Sequence, residues 1–192
     1  MRSLVGDLFY TVYRYFGFSL LFSIVTMIAF PYIKEKGIAA VIKTIINDIL
    51  NNRKVAFRFL FFLYLFMVLC RTLICRNIWK VPWENVIGEF GIYTSEGTFN
   101  FEGIENVFLF IPLSFFFLAS DVHNLVNLTF KSVIWYITKA SFLFTLLIEL
   151  CQLFGRLGTF QVSDIVQNVF GGFIGGLLYF ISCRLKHPKT GE

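Results

Sequence analysis

Five polar residues lie in and around one short turn between two long apolar segments. Glu149 and Gln152 lie near the end of one segment, Arg156 lies in the turn, and Asp164 and Asn168 open the next segment. Acids and amides inside apolar helices cost free energy, so they usually have a function or a partner. A guanidinium binds a phosphate or carboxylate through two parallel hydrogen bonds, and amides orient a sugar or another amide. These residue types therefore fit recognition of a charged headgroup.

The same residues also include two candidate catalytic groups, Glu149 and Asp164. Partial burial of Glu149 in a low-dielectric region favours a raised pKa and a role as general acid or base. Asp164 is expected to stay ionised beside Arg156. The alternative is structural: Glu149, Arg156 and Asp164 neutralise one another and lock the helices together, because a buried charge requires pairing.

The composition shows which medium must surround these residues. The chain has 192 residues, of which 57% are hydrophobic, 15% are charged and 26 are Phe. Soluble domains run at about half apolar and about a quarter charged, so this sequence predicts an all-α, polytopic membrane helical bundle. The net charge of +5 is explained by Lys and Arg in cytoplasmic loops, and nucleic acid is not an expected partner.

Five apolar segments are the predicted membrane helices, since about 20 apolar residues span a bilayer core. They run over about residues 8–30, 55–74, 104–120, 132–154 and 165–183. Between the first two, apolar residues recur at helical spacing over residues 38–50, which predicts an amphipathic helix on the inner membrane surface. The chain is predicted to be a single membrane domain over residues 1–192, with its core at about 104–183.

Paired glycines in the last segment predict close helix packing. Gly171 and Gly175 are four residues apart, as are Gly172 and Gly176. Small residues at this spacing let helix backbones approach each other. We therefore expect the fifth segment to press against the fourth.

The distribution of Lys and Arg predicts the orientation of the bundle. Basic residues follow the first segment and fill the tail, at Lys34, Lys36, Lys43, Arg53, Lys54, Arg184, Lys186 and Lys189. Both regions should be cytoplasmic, which puts the C-terminus inside. The turn around Arg156, and the start of the third segment with Asn106, then lie at the outer leaflet. We expect one ligand site there, formed by Asn106, Glu149, Gln152, Arg156, Asp164 and Asn168.

Nucleophilic and metal chemistry have little support. His123 and His187 fall on the predicted inner side, so neither serves a serine at the outer leaflet. The four cysteines show no metal-ligand spacing; they are Cys70, Cys75, Cys151 and Cys183. No metal and no cofactor are expected.

Two stretches of the sequence carry a family pattern, NVFLFIPLSFFF at 106–117 and IELCQLFGRLGTFQVSDIVQNVFGGFIGG at 148–176. Together they resemble the VanZ-like family of bacterial membrane proteins. The resemblance implies a link to resistance against glycopeptide antibiotics, teicoplanin in particular. The matching positions are Asn106, Phe110, Pro112, Glu149, Gln152, Arg156, Asp164, Asn168, Gly171 and Gly172.

The sequence departs from the family pattern at Ser114, where Gly is frequent, and at Gln161 and Ser163, where many members carry acids. Asp164 is then the only carboxylate in that turn, which argues against a divalent cation held by clustered acids.

Three functions remain open. In the first, the chain is a non-enzymatic membrane protein that binds a membrane lipid, an envelope-precursor headgroup or a glycopeptide antibiotic. Alternatively it is an intramembrane enzyme on a lipid-linked headgroup, or a structural scaffold. We prefer the first, because the resemblance supports it and no complete catalytic set is visible. The oligomeric state is left open.

Overall fold

Helices make up most of the part of the chain that the structure describes, and residues 81–91 form a loop. The structure is a computed structural model, and it describes residues 4–29, 38–74, 81–91, 93, 97–120 and 129–186. The helices are α1 Leu4–Ala29, α2 Ile38–Asn51, α3 Arg53–Leu69 continued by a π-helical turn Cys70–Ile74, α4 Phe101–Ala119, α5 Phe130–Gly155 and α6 Val162–Lys186. Lys34, Lys36, Cys75, His123, His187 and Lys189 lie outside these ranges. The prediction of an all-α fold is confirmed.

Four helical segments are long and apolar enough to cross a membrane. They are Arg53–Ile74, Phe101–Ala119, Phe130–Gly155 and Val162–Leu185, and they coincide with the last four predicted segments. The first helix contains a shorter apolar stretch, Val12–Met27, so its membrane crossing stays a prediction. Large apolar side chains such as Leu143, Leu147 and Phe170 are exposed on the bundle surface, as contact with lipid requires.

The predicted amphipathic helix is confirmed as α2. Its Ile45 is buried and clusters with Met27 of α1 and with the partly buried Phe59 of α3. Ile46 and Leu50 are exposed. The apolar face of α2 is therefore divided, with one part inside the protein and another part free to contact the membrane surface.

Helix α6 packs closely against both α4 and α5 through the paired glycines. A Cβ atom built on Gly171 or Gly175 would lie 2.2 Å from the carbonyl oxygen of Val107 or 2.4 Å from that of Ile111, both in α4. The other pair faces α5: a Cβ on Gly172 would lie 2.1 Å from Ser141 Oγ, and a Cβ on Gly176 would lie 2.6 Å from Ile137 Cγ2. The predicted contact with the fourth segment is therefore present but incomplete, because a second glycine stripe contacts the third.

Candidate functional site

Four helix ends meet at one end of the bundle, which we call the polar end. It comprises the π-helical turn after α3, the start of α4, the end of α5 and the start of α6, with side chains Arg71, Thr72, Glu105, Asn106, Glu149, Gln152, Asp164 and Asn168. These ends come together because successive membrane helices run in alternate directions. All six predicted site residues lie in or beside this region, as the alternation of the segments led us to expect.

The π-helical turn contributes two of the contacts between helices. Arg71 donates a hydrogen bond to Glu105 of α4 and forms an ion pair with it. Gln152 of α5 donates through Nε2 to the backbone carbonyl of Thr72 at 2.9 Å. A π-helical turn changes the backbone hydrogen-bond register, and such turns are frequent at functional sites. The turn thus joins α3 to both α4 and α5.

The α5–α6 contact encloses three of the predicted site residues. Glu149 and Gln152 are each 2% exposed and Asn168 is 5% exposed. The backbone N–H of Gln161 donates to Glu149 Oε2 at 3.0 Å, and Asn168 Nδ2 donates to Thr145 Oγ1 at 2.8 Å. The carboxyl group of Glu149 is therefore held between the end of α5 and the turn that leads into α6.

Two buried oxygen atoms in this group lack a hydrogen-bond partner in the described residues. They are Gln152 Oε1 and Asn168 Oδ1. A buried polar atom without a partner costs about 1–3 kcal/mol, and buried polar groups in proteins are nearly always satisfied. The two oxygens are therefore the places where a ligand or an ordered water has most to gain.

Arg156 and Asp164 lie at the rim of the polar end. Arg156 is exposed and follows α5 in the left-handed conformation, with φ of 54°. Its guanidinium makes no ion pair or hydrogen bond within the described ranges. Asp164 is half-buried and accepts a 3.5 Å hydrogen bond from Ser163 Oγ. The contacts of the guanidinium thus do not show the alternative in which Arg156 neutralises Glu149 and Asp164. The role of Arg156 in anion binding stays a prediction.

Asn106 takes a different side of the polar end. Its Nδ2 donates to Gln167 Oε1 at 3.3 Å, and Gln167 Nε2 donates to the carbonyl of Glu89 at 2.9 Å. Asn106 is half-buried. It therefore links α4 to α6 and, through Gln167, to the loop before α4, and this hydrogen bond goes to Gln167 rather than to Glu149 or Asn168.

The loop at 81–91 covers the start of α6. The backbone N–H groups of Phe160, Val162 and Ser163 donate to carbonyls of the loop at 2.8, 2.8 and 3.1 Å. Gly88 has φ of 72°, and a Cβ there would lie 1.9 Å from Ser163 Oγ. The first two amides of α6, those of Val162 and Ser163, are therefore used by the loop.

Sequence reasoning did not find Arg71, Thr72, Thr145 or Gln167. Arg71 gave a usable signal, since it is a charged residue in the second apolar segment close to the acid Glu105 at the start of the third. Thr72 gave none, because its contribution is a backbone carbonyl. Thr145 lies one turn before Glu149 on the same face of α5, which the spacing of the two residues shows in retrospect.

The comparisons with known proteins agree with this architecture. A family model described as VanZ/LLP1 matches residues 7–183. Protein VanZ of Enterococcus faecium is 30% identical over 99 residues, which cover 50% of this chain and 55% of that protein. The chain thus spans about half the length of the curated relative it matches. No solved structure matches the chain.

Proposed function

This chain belongs to the VanZ/LLP1 family, and on that premise we propose that it lowers the sensitivity of a bacterial cell to glycopeptide antibiotics such as teicoplanin. It does so by binding the headgroup of a membrane lipid or envelope precursor at the polar end. The chain has four helices apolar enough to span a membrane, and the polar end faces the cell exterior with the C-terminus in the cytoplasm. The relative's name, Protein VanZ, agrees with this assignment.

The observation that carries the proposal is the burial of Glu149, Gln152 and Asn168 together at this end. Holding helices together does not require such residues, because apolar packing of similar volume is often as stable as a buried polar or ionic group. The unpartnered oxygens add an unmet hydrogen-bonding demand of about 1–3 kcal/mol each. A ligand that meets this demand explains why these side chains are tolerated.

The backbone of Arg156 supports a role for its side chain at the rim. Arg156 takes the left-handed position that ends α5, where glycine is the usual residue, so the turn itself does not require an arginine there. The exposed guanidinium is free to bind a headgroup phosphate through two hydrogen bonds. Arg156 therefore holds the anionic part of the headgroup.

The test is teicoplanin susceptibility in cells that express the chain. Expression of the wild type should raise the minimal inhibitory concentration. Arg156→Gly removes the guanidinium and relieves the backbone, and the loss of charge-assisted hydrogen bonds worth about 1.5–3 kcal/mol lowers headgroup affinity about tenfold or more. Glu149→Gln keeps the shape of the side chain and removes its charge. Both variants should abolish the protection at an unchanged protein level in the membrane.

Lys131→Gln is the matched control, because Lys131 is an exposed residue at the opposite end of α5. This variant should protect as well as the wild type. Full protection by both Arg156→Gly and Glu149→Gln, or no protection by the wild type, would show that the proposal is wrong.

A further inference from the structure

We infer that the buried part of the polar end recognises a protonated primary amine carried by the headgroup. This inference rests on the proposed function and adds to it the chemical class of the ligand. Phosphatidylethanolamine is the simplest membrane lipid of this kind, since it joins a primary ammonium to a phosphate. The ammonium would lie at the buried oxygens and the phosphate at the rim.

The orientation of the Gln152 amide is fixed by its partner in the π-helical turn after α3. The backbone carbonyl of Thr72 can only accept a hydrogen bond, so the amide nitrogen must face it. Gln152 Nε2 lies 2.9 Å from this carbonyl oxygen. The oxygen must then point away from α3. Since Gln152 Oε1 has no partner in the described residues, what it lacks is a donor.

Asn168 presents a second oxygen of the same kind. Its nitrogen donates to Thr145 Oγ1, and its Oδ1 is without a partner in the described part of the chain. Asn168 is 5% exposed and Gln152 is 2% exposed, so bulk water does not satisfy either oxygen freely. With the Asn168 amide in this orientation, both unmet demands are for hydrogen-bond donors.

The side chains of Gln152 and Asn168 lie on the side of α5 that carries Glu149. Side chains on a helix lean toward its N-terminus, so Gln152 leans along α5 toward Glu149, one turn earlier. Asn168 is bonded to Thr145, one turn before Glu149. Because α6 runs antiparallel to α5, the lean of Asn168 toward the start of α6 also carries it toward the level of Glu149. Thr145, Glu149 and Gln152 therefore share one face of α5, and Asn168 meets that face at Thr145.

The chemistry of this set selects among headgroups. When Glu149 is ionised, its carboxylate and the two amide oxygens offer only acceptors. A phosphate also offers mainly acceptors and carries a negative charge, so it is repelled there. An ammonium group supplies three donors and a positive charge. The half-buried Asp164 at the rim adds a further carboxylate on the way to the exposed Arg156.

Native mass spectrometry of the purified full chain tests the inference. The protein is offered phosphatidylethanolamine, phosphatidylcholine and phosphatidylglycerol with identical acyl chains at equal concentration. Phosphatidylcholine has the same charges as phosphatidylethanolamine but its quaternary ammonium cannot donate. Charge-assisted hydrogen bonds worth about 1.5–3 kcal/mol predict that phosphatidylethanolamine is retained over phosphatidylcholine by about tenfold or more.

Variants of Asn168 provide the matched comparison. Asn168→Leu removes the acceptor oxygen and should bring the ratio of retained phosphatidylethanolamine to retained phosphatidylcholine close to one. Asn168→Asp keeps an acceptor to which the hydroxyl of Thr145 can donate, and it should preserve the preference. Arg184→Gln, an exposed residue at the far end of α6, should leave the ratio unchanged. The ratio is measured within each folded, monodisperse sample, so a change in yield does not alter it.

Soluble phosphoethanolamine as a competitor identifies the source of the amine. Displacement of the lipid at equal concentration supports recognition of the free headgroup, and persistence of the lipid supports recognition of the intact phospholipid. The amine itself is tested by the preference for phosphatidylethanolamine over phosphatidylcholine, and the competitor then identifies its source.

Equal retention of phosphatidylethanolamine and phosphatidylcholine would overturn the inference, as would a preference that Asn168→Leu leaves intact, because an ordered water then satisfies the two oxygens. Preferential retention of phosphatidylglycerol that Arg156→Gly abolishes would overturn the amine but support headgroup binding. Absence of any headgroup preference in every variant would count against both.

Discussion

At the scale of the residue, the ion pair between Arg71 and Glu105 is the contact that most directly fixes the polar end. The side chains are 23% and 11% exposed, which places the pair between surface and interior. Exposed pairs contribute about 0–1 kcal/mol, whereas removal of one partner from a buried pair costs about 3–5 kcal/mol. When either residue is replaced, the remaining charge stays partly buried and has lost this partner.

A double-mutant cycle on this pair should show clear coupling. We expect Arg71→Met and Glu105→Gln each to lower the free energy of unfolding by about 1–3 kcal/mol, intermediate between exposed and buried pairs. The double variant should lose less than the sum of the two, by about 1 kcal/mol or more. Thermal unfolding in detergent measures this, with Lys139→Met, an exposed residue of α5, as the control. Additive losses would mean that the interaction between the two side chains does not contribute to the free energy of unfolding.

The sequence was informative about residues whose chemistry is out of place in an apolar segment. Glu149, Gln152 and Asn168 are recognisable in this way, and all three are buried at the polar end. Arg71 was overlooked, because a basic residue near the end of a membrane helix usually extends to the interface. The hydrogen bond to the Thr72 carbonyl could not be predicted, since it depends on a backbone group and on the register of a π-helical turn.

At the scale of the element, the contact between α6 and α4 is the most extensive one between two helices of the described residues. One glycine stripe faces the backbone of α4 and the other faces side chains of α5. Close backbone approach maximises the van der Waals packing that associates helices in a membrane. This approach also sets how closely Asn168 meets Thr145, because both lie in the same α5–α6 contact.

Substitution of these glycines should separate α6 from α4. In Gly175→Ala the new methyl group would lie 2.4 Å from the carbonyl oxygen of Ile111, and a helix backbone cannot move aside locally. Overpacking of this kind costs about 1–3 kcal/mol, so the melting temperature should fall. Gly17→Ala in α1 is the control: nothing lies within 4 Å of its Cβ position, and alanine favours a helix over glycine by about 0.5–1 kcal/mol. An equal effect of the two substitutions would refute the packing argument.

Hydropathy predicted the helices well because it depends on local composition. The helix ends lie within a few residues of the predicted segments, and α2 was recognised from its periodicity. The second glycine contact, with α4, was missed because four small residues at positions 171, 172, 175 and 176 do not show which neighbour each one faces. The cover that the loop at 81–91 forms over α6 is also tertiary, since its acceptors are backbone carbonyls.

At the scale of the whole molecule, the protein is an apolar bundle whose buried polar groups concentrate at one end. Four membrane-crossing helices supply a scaffold, and the loop at 81–91 closes the start of α6. A headgroup bound there would have its acyl chains alongside the lipid-facing side chains, such as Leu147 and Phe170. Family membership and this distribution of polarity together support a site for a lipid or envelope precursor.

Photocrosslinking with a phospholipid that carries a diazirine in its headgroup tests this account most directly. After reconstitution into vesicles and irradiation, peptide mapping should place the label within residues 149–168, and Glu149→Gln should reduce it there. A phospholipid with the diazirine in its acyl chain, which should label lipid-facing residues along the helices, controls for general proximity. Headgroup label concentrated at 130–139 and 176–186, the opposite end of α5 and α6, or label at 149–168 that is unchanged in Glu149→Gln, would contradict the account.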